Sequence, residues 1–158
     1  MKLKKLHYTV EDGIAVVQLD YPKNLNAIDE EMADELLYVV QAAEADESVK
    51  VVVFKGSPRA FSAGGDIGYF YQLIKAFVNL GLVPDTGGSY LLVKQLGPKR
   101  AMDICATGRP VSAQEAKDLG IVYRIVPNED LDGETMKFAK KLASGPIISY
   151  KNIKRQIY

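Results

Sequence analysis

A chain of 158 residues, 47% of them apolar, can bury one sizeable core and is most simply a single domain over residues 1–158. Its 20 basic and 20 acidic residues balance, which leaves no electrostatic footprint for nucleic acid or an anionic membrane surface. One cysteine, Cys105, cannot close an internal disulfide, which fits a reducing cytoplasm. The start "MKLKKLHYTV" lacks the apolar region of a signal peptide, and no apolar run approaches membrane length.

In chain order, "KLHYTV" and "IAVVQLD" flank the turn signal "EDG" and predict a β-hairpin. After "YPKNLNA", Asp29 can cap a helix that carries Met32, Leu36, Val39, Val40 and Ala43 on one face and Glu30 and Glu31 in its first turn. "VKVVVFKG" then reads as a buried strand, and strand–helix–strand makes a βαβ unit with a parallel pair. Downstream, "PKRAMDICATG" predicts a helix from Pro98 to a stop at Gly108. "SAQEAKDLG" reads as a capping box of Ser112 with Glu115, closed by Gly120 and feeding a strand "IVYRIVP". "LDGETMKFAKKLAS" and "PIISYKNIKRQI" predict two further helices. The alternation defines an α/β fold without internal repeats or dividing linkers.

The stretch "RAFSAGGDIGYF" follows the apolar strand, at the end where open α/β sheets place ligands. Gly64 and Gly65 let a ligand approach the main chain, and Asp66 is expected in the first turn of a following helix. Converging N–H groups and the helix dipole suit a negatively charged oxygen, as half of an oxyanion hole would. The plainer reading is a tight strand-to-helix turn. Neither a P-loop nor G-x-G-x-x-G occurs.

A second constellation, "FVNLGLVPDTGGSYLLVKQLG", places Pro84, Asp85, Gly87 and Gly88 in an order that resembles a signature of the crotonase superfamily, the enoyl-CoA hydratases and isomerases. "LDYPKNLNAI" resembles that family's first coenzyme A contact, "AFSAGGDI" its first oxyanion-hole motif, and "KRAMDICATGRPVSAQEAKDLGIVYRIVP" its helical and strand segment. The resemblance implies a ββα-spiral core and an acyl-CoA thioester substrate. It makes Gly65 the N–H donor to the thioester oxygen, puts Ala63, Gly64, Asp66 and Ile67 along the adenine and pantetheine path, and sets Lys23, Asn24 and Leu25 on the other side. By itself Lys23 is a solvated loop lysine; beside coenzyme A its charge meets a phosphate.

Stabilising an enolate oxygen acidifies the neighbouring carbon, and a carboxylate then has to move the proton. Asp85, after Val83 and Pro84, is the candidate, since some isomerases of the family carry their acid/base at the matching aspartate. The competing reading has Asp85 cap a helix beginning near Thr86. Phe77 aligns with a glutamate of the hydratases, so the single remaining carboxylate favours double-bond isomerisation, with hydration or non-catalytic acyl-CoA binding as alternatives. Tyr69, Phe70, Tyr71 and Leu73 are available for an acyl pocket, while Phe70, Leu73, Ile74 and Phe77 also fit an ordinary core stripe.

The resemblance is incomplete. Between Lys75 and Ala76 the family's long internal segment, source of the second oxyanion N–H, is missing, and so are its C-terminal helices beyond Tyr158. Omission from a longer protein is the expectation, because deletion through an α/β core would expose a large apolar surface. A full family chain would form a homotrimer or dimer of trimers. Coenzyme A enters only as part of the substrate, with no other cofactor and no metal expected. His7 reads as a surface or satisfied structural residue, and Cys105 as core.

Overall fold

The computed structural model describes residues 1–65, 78, 81, 83–84 and 87–157. The chain divides into two compact units, one built from Met1–Tyr71 with Leu131–Tyr158 and the other from Gln72–Asp130.

The first unit holds the sheet. β1 (Leu6–Glu11) and β2 (Ile14–Leu19) pair antiparallel around Asp12 and Gly13, whose φ values of 53° and 75° give the primed turn that matches strand twist. The chain then runs through a 3₁₀ turn at Pro22–Asn24 into α1 (Glu30–Ala45) and returns as β3 (Val51–Lys55), parallel to β2. The sheet order is β1-β2-β3. α1 starts where the sequence indicates, with the Asp29 carboxylate accepting from the Met32 N–H at 2.9 Å.

Side-chain alternation along β2 divides the core in two. Val17 and Leu19, with Leu6 of β1, pack against Met32 and Val39 of α1. Ile14 packs instead with Ala139 and Ala143 of α5 (Leu131–Ala143), where Val16, Val51 and Val53 join them. α6 (Ile147–Ile157) completes this unit.

Two expectations need correction here. The buried stripe of α1 is Met32, Glu35, Val39 and Ala43, not one that includes Val40, which is exposed. Glu35 takes the inward place because its carboxylate accepts the N–H groups of Lys4 and Lys5, at 2.8 and 3.0 Å, so the buried charge is hydrogen-bonded. β3 is not buried on both faces. Val51 and Val53 meet the α5 layer, whereas Val52 and Phe54, on the opposite face at the end of the sheet order, are 41% and 44% exposed.

The second unit contains α2 (Gly88–Leu96), α3 (Pro98–Thr107) and α4 (Ala113–Asp118). α3 has Pro98 in its first turn and stops at Gly108, φ 58°, as its sequence indicates, with Cys105 half-buried along it. α2 begins at Gly88 rather than near Thr86, with Gly87 at its N-cap and no side-chain capping bond. Only half of the capping box forms: Ser112 Oγ accepts from the Glu115 N–H at 3.1 Å, but the Glu115 carboxylate is taken by Arg109. Residues 121–127 form no strand. Among the described residues every strand belongs to the first unit, so this segment has no ladder in its own unit, and its Tyr123 is 85% exposed. Among the described residues no helix is long and apolar enough to cross a membrane.

Candidate functional site

The candidate site is made by two loops that leave the carboxyl ends of the parallel strands β2 and β3. The loop after β3 turns sharply. A Cβ built on Gly56 would lie 2.3 Å from both the Ala60 carbonyl oxygen and the Phe61 Cα, so only glycine allows the backbone to fold back there. Ser57 and Ala60 then close a small bridge, and Phe61 leads into Ser62, Ala63, Gly64 and Gly65.

The loop after β2 carries Lys23 and Asn24 in its 3₁₀ turn, followed by Leu25 and Asn26, both left-handed at φ 50° and 56°. Asparagine tolerates that conformation better than most residues. The side chain of Asn26 then explains why it stands there. Fully buried, it donates through Nδ2 to Ser57 Oγ and to the Ala60 and Phe61 carbonyls at 3.0–3.1 Å, while Oδ1 accepts from the Tyr21 N–H at 2.7 Å. One amide group thus joins both loops.

Main-chain bonds complete the lacing. The Ala63 N–H donates to the Leu25 carbonyl at 2.9 Å, and the Ile28 N–H donates to the Gly64 carbonyl at 2.7 Å. Lys23, Asn24 and Leu25 therefore share one loop pair with Ala63, Gly64 and Gly65. Lys23 and residues 63–65 are exposed. Asp66, Ile67 and Asp85 lie outside the described residues, as do Phe77 and the residues Tyr69, Phe70, Tyr71, Leu73 and Ile74 of the acyl-pocket and core-stripe readings.

The Gly64–Gly65 peptide has a defined aim. Its carbonyl is held by the Ile28 N–H, and across a trans peptide the N–H points away from the carbonyl, so the Gly65 N–H is directed away from Ile28. Among the described residues no hydrogen bond takes up that N–H. Among the described residues, nothing lies within 4 Å of a Cβ placed on Gly65. Gly64, at φ 89°, requires glycine for conformation alone.

Behind the loops, Lys5 is a buttress. Its ammonium pairs with Asp29 and with Glu31, at 3.1 Å to the latter, and stands 4.8 Å from the centre of the Tyr21 ring. The hydrogen bond to Asp29 holds the lysine above its usual range, and the same contact, with the Met32 N–H, holds the Asp29 carboxyl below the usual carboxylate range. The lone histidine, His7, is exposed on β1 with Nε2 2.7 Å from Asp20. Among the described residues no group of three metal-ligating side chains converges.

Asn26, Gly56 and Lys5 are the positioning residues that sequence reasoning missed. The signal for Asn26 was the second asparagine of "NLNA", and that for Gly56 a glycine directly after an apolar strand.

A model of the enoyl-CoA hydratase/isomerase family matches residues 9–77 and 71–158, and the chain belongs to that family. Its fold is the crotonase-like α/β fold: a solved enoyl-CoA hydratase subunit I from Geobacillus kaustophilus superimposes with a TM-score of 0.91 at 28% identity, over 99% of this chain and 82% of its own. Among curated relatives, the trans-2-decenoyl-[acyl-carrier-protein] isomerase of Streptococcus mutans is 24% identical, covering 100% of this chain and 83% of its own length. A probable enoyl-CoA hydratase of Rhodobacter capsulatus is also 24% identical, over 100% of this chain and 82% of its own. The alignment to the Streptococcus protein runs over 218 positions, more than this chain's 158 residues, so the surplus is filled by the relative alone. The two family-model segments overlap at residues 71–77.

Proposed function

We propose that this chain binds an acyl-CoA thioester along its two laced loops and moves a double bond from the β,γ to the α,β position. The observation that carries this reading is the fixed Gly64–Gly65 peptide, whose N–H is directed away from Ile28 and is taken up by no described group. A thioester oxygen accepting that N–H gains charge as the enolate forms, and the donor is already oriented when it does. Asp85 takes the proton from the α carbon and returns it to the γ carbon, so no proton is gained or lost overall. Ala63, Gly64, Asp66 and Ile67 line the carrier's path, and Lys23, Asn24 and Leu25 flank it, with the Lys23 ammonium meeting a phosphate. Coenzyme A takes part as the substrate's own carrier, and no further cofactor is invoked. With the full family chain present, the assembly is a homotrimer or dimer of trimers, in the cytoplasm.

Asp85→Asn is the test. Loss of β,γ-enoyl-CoA turnover with binding retained supports the role, and unchanged turnover removes Asp85 from the mechanism. Hydration is the second reading, favoured by the hydratase names among the relatives. Assaying α,β-enoyl-CoA for hydration beside β,γ-enoyl-CoA for migration separates the two, and hydration alone would show that Phe77 was misread. Because one relative is named for an acyl-carrier-protein substrate, both carriers belong in that assay. The second oxyanion N–H belongs to the segment expected between Lys75 and Ala76. Its loss would cost about 10²–10³ in rate. An intact mass of 17.4 kDa would mean that the segment is gone and would favour non-catalytic acyl-CoA binding.

A further inference from the structure

Ser62 has no chemical role in this reading, yet it occupies a junction between the two loops. Its Oγ donates to the Asn26 carbonyl at 2.7 Å and accepts from the Gly64 N–H at 3.0 Å. A hydroxyl has one hydrogen, and here it is committed to residue 26, which leaves a lone pair facing residue 64. Gly64 is therefore held on both sides: its N–H by Ser62 and its carbonyl by the Ile28 N–H at 2.7 Å. Two attachments on one residue restrain both of its backbone torsions, and glycine, the residue most in need of such restraint, is the one that receives it. Both attachments lead back to residues 26 and 28, in the loop whose outer turn carries Lys23.

We infer that Ser62 is a positioning residue: by bridging the Asn26 carbonyl to the Gly64 N–H, it couples the placement of the Lys23–Leu25 loop to the aim of the Gly65 N–H. A carrier group seated on that loop thereby sharpens the hold on the thioester oxygen. The inference rests on the reading of Gly65 as the oxyanion donor.

Two ligands separate the inference from that reading. Butyryl-CoA presents a carbonyl, whereas S-butyl-CoA, a thioether, has none, so the ratio of their affinities reports the carbonyl contact alone. The wild type should prefer the thioester. Ser62→Ala should cut that preference by about threefold to tenfold, the range for one hydrogen bond, while thioether affinity stays within about twofold. Amide exchange of Gly64 in the ligand-free protein should accelerate in Ser62→Ala, and Ser62→Thr, which keeps the hydroxyl, should restore both readouts. An unchanged preference and unchanged Gly64 exchange in Ser62→Ala overturn the inference and leave Gly65 standing as donor. Equal weakening of both ligands also overturns it, since that is what a merely structural serine would produce. A wild type without preference removes Gly65 as the donor, and the inference falls with it.

Discussion

The two units are held together by different physics. In the first, the loops of the candidate site are tied by a fully buried asparagine and stand beside a core that includes Val17, Leu19, Met32 and Val39. In the second, Ala101 is the one core residue among those described, and α3 is linked to α4 by a surface clamp in which Arg109 bonds Asp103 and grips Glu115 with two nitrogens at 2.7 and 3.0 Å. Buried hydrogen bonds are costly to break because the abandoned groups cannot turn to water. Exposed ion pairs have water as an alternative, so position rather than number decides their worth.

The sharpest way to break that contrast is Asn26→Leu. It strands the Tyr21 N–H and deprives Ser57, Ala60 and Phe61 of their donor, and should cost about 3 kcal/mol or more in denaturant unfolding. Gly56→Ala should follow at about 2–3 kcal/mol, because the added carbon meets backbone rather than a flexible side chain. Arg109→Ala should move the thermal midpoint far less, and the small shift should shrink further as salt is raised. A still gentler probe is acid. The Lys5 contact depresses the Asp29 carboxyl, and Lys4 and Lys5 depress that of Glu31, so their contribution is complete above the ordinary carboxylate value near 4 and is lost as pH falls through the lowered folded values. In Lys5→Met the Asp29 share of that acid dependence should flatten, while the share of Glu31 held by Lys4 stays, which a stability titration between about pH 5 and 2 would detect.

Much of the fold was legible because its signals are local. Asp12–Gly13 sets the hairpin, Asp29 the start of α1, and Pro98 and Gly108 the two ends of α3; each is a residue whose own backbone or side chain performs the act. What escaped depends on a partner far along the chain. Glu35 looks misplaced in an apolar stripe until the N–H groups of Lys4 and Lys5 come to it. "IVYRIVP" has every property of a strand except a neighbour in its own unit. At the site, the motifs named Leu25 and Ala63 as two sides of a carrier path; that the two are hydrogen-bonded, and that a buried asparagine ties their loops together, came only from the structure. A hydrogen bond spanning more than thirty residues leaves no period to read.

The covering of Ile14 by Ala139 and Ala143 has a consequence for how the protein is born. α1 follows the hairpin closely, so the layer formed by Val17 and Leu19 is covered early in synthesis. The layer of Ile14, Val51 and Val53 must wait until α5 leaves the ribosome, and for that interval it offers an apolar surface to whatever is nearby. A nascent chain stalled before Leu131 should therefore be held by chaperones through that one side of its sheet.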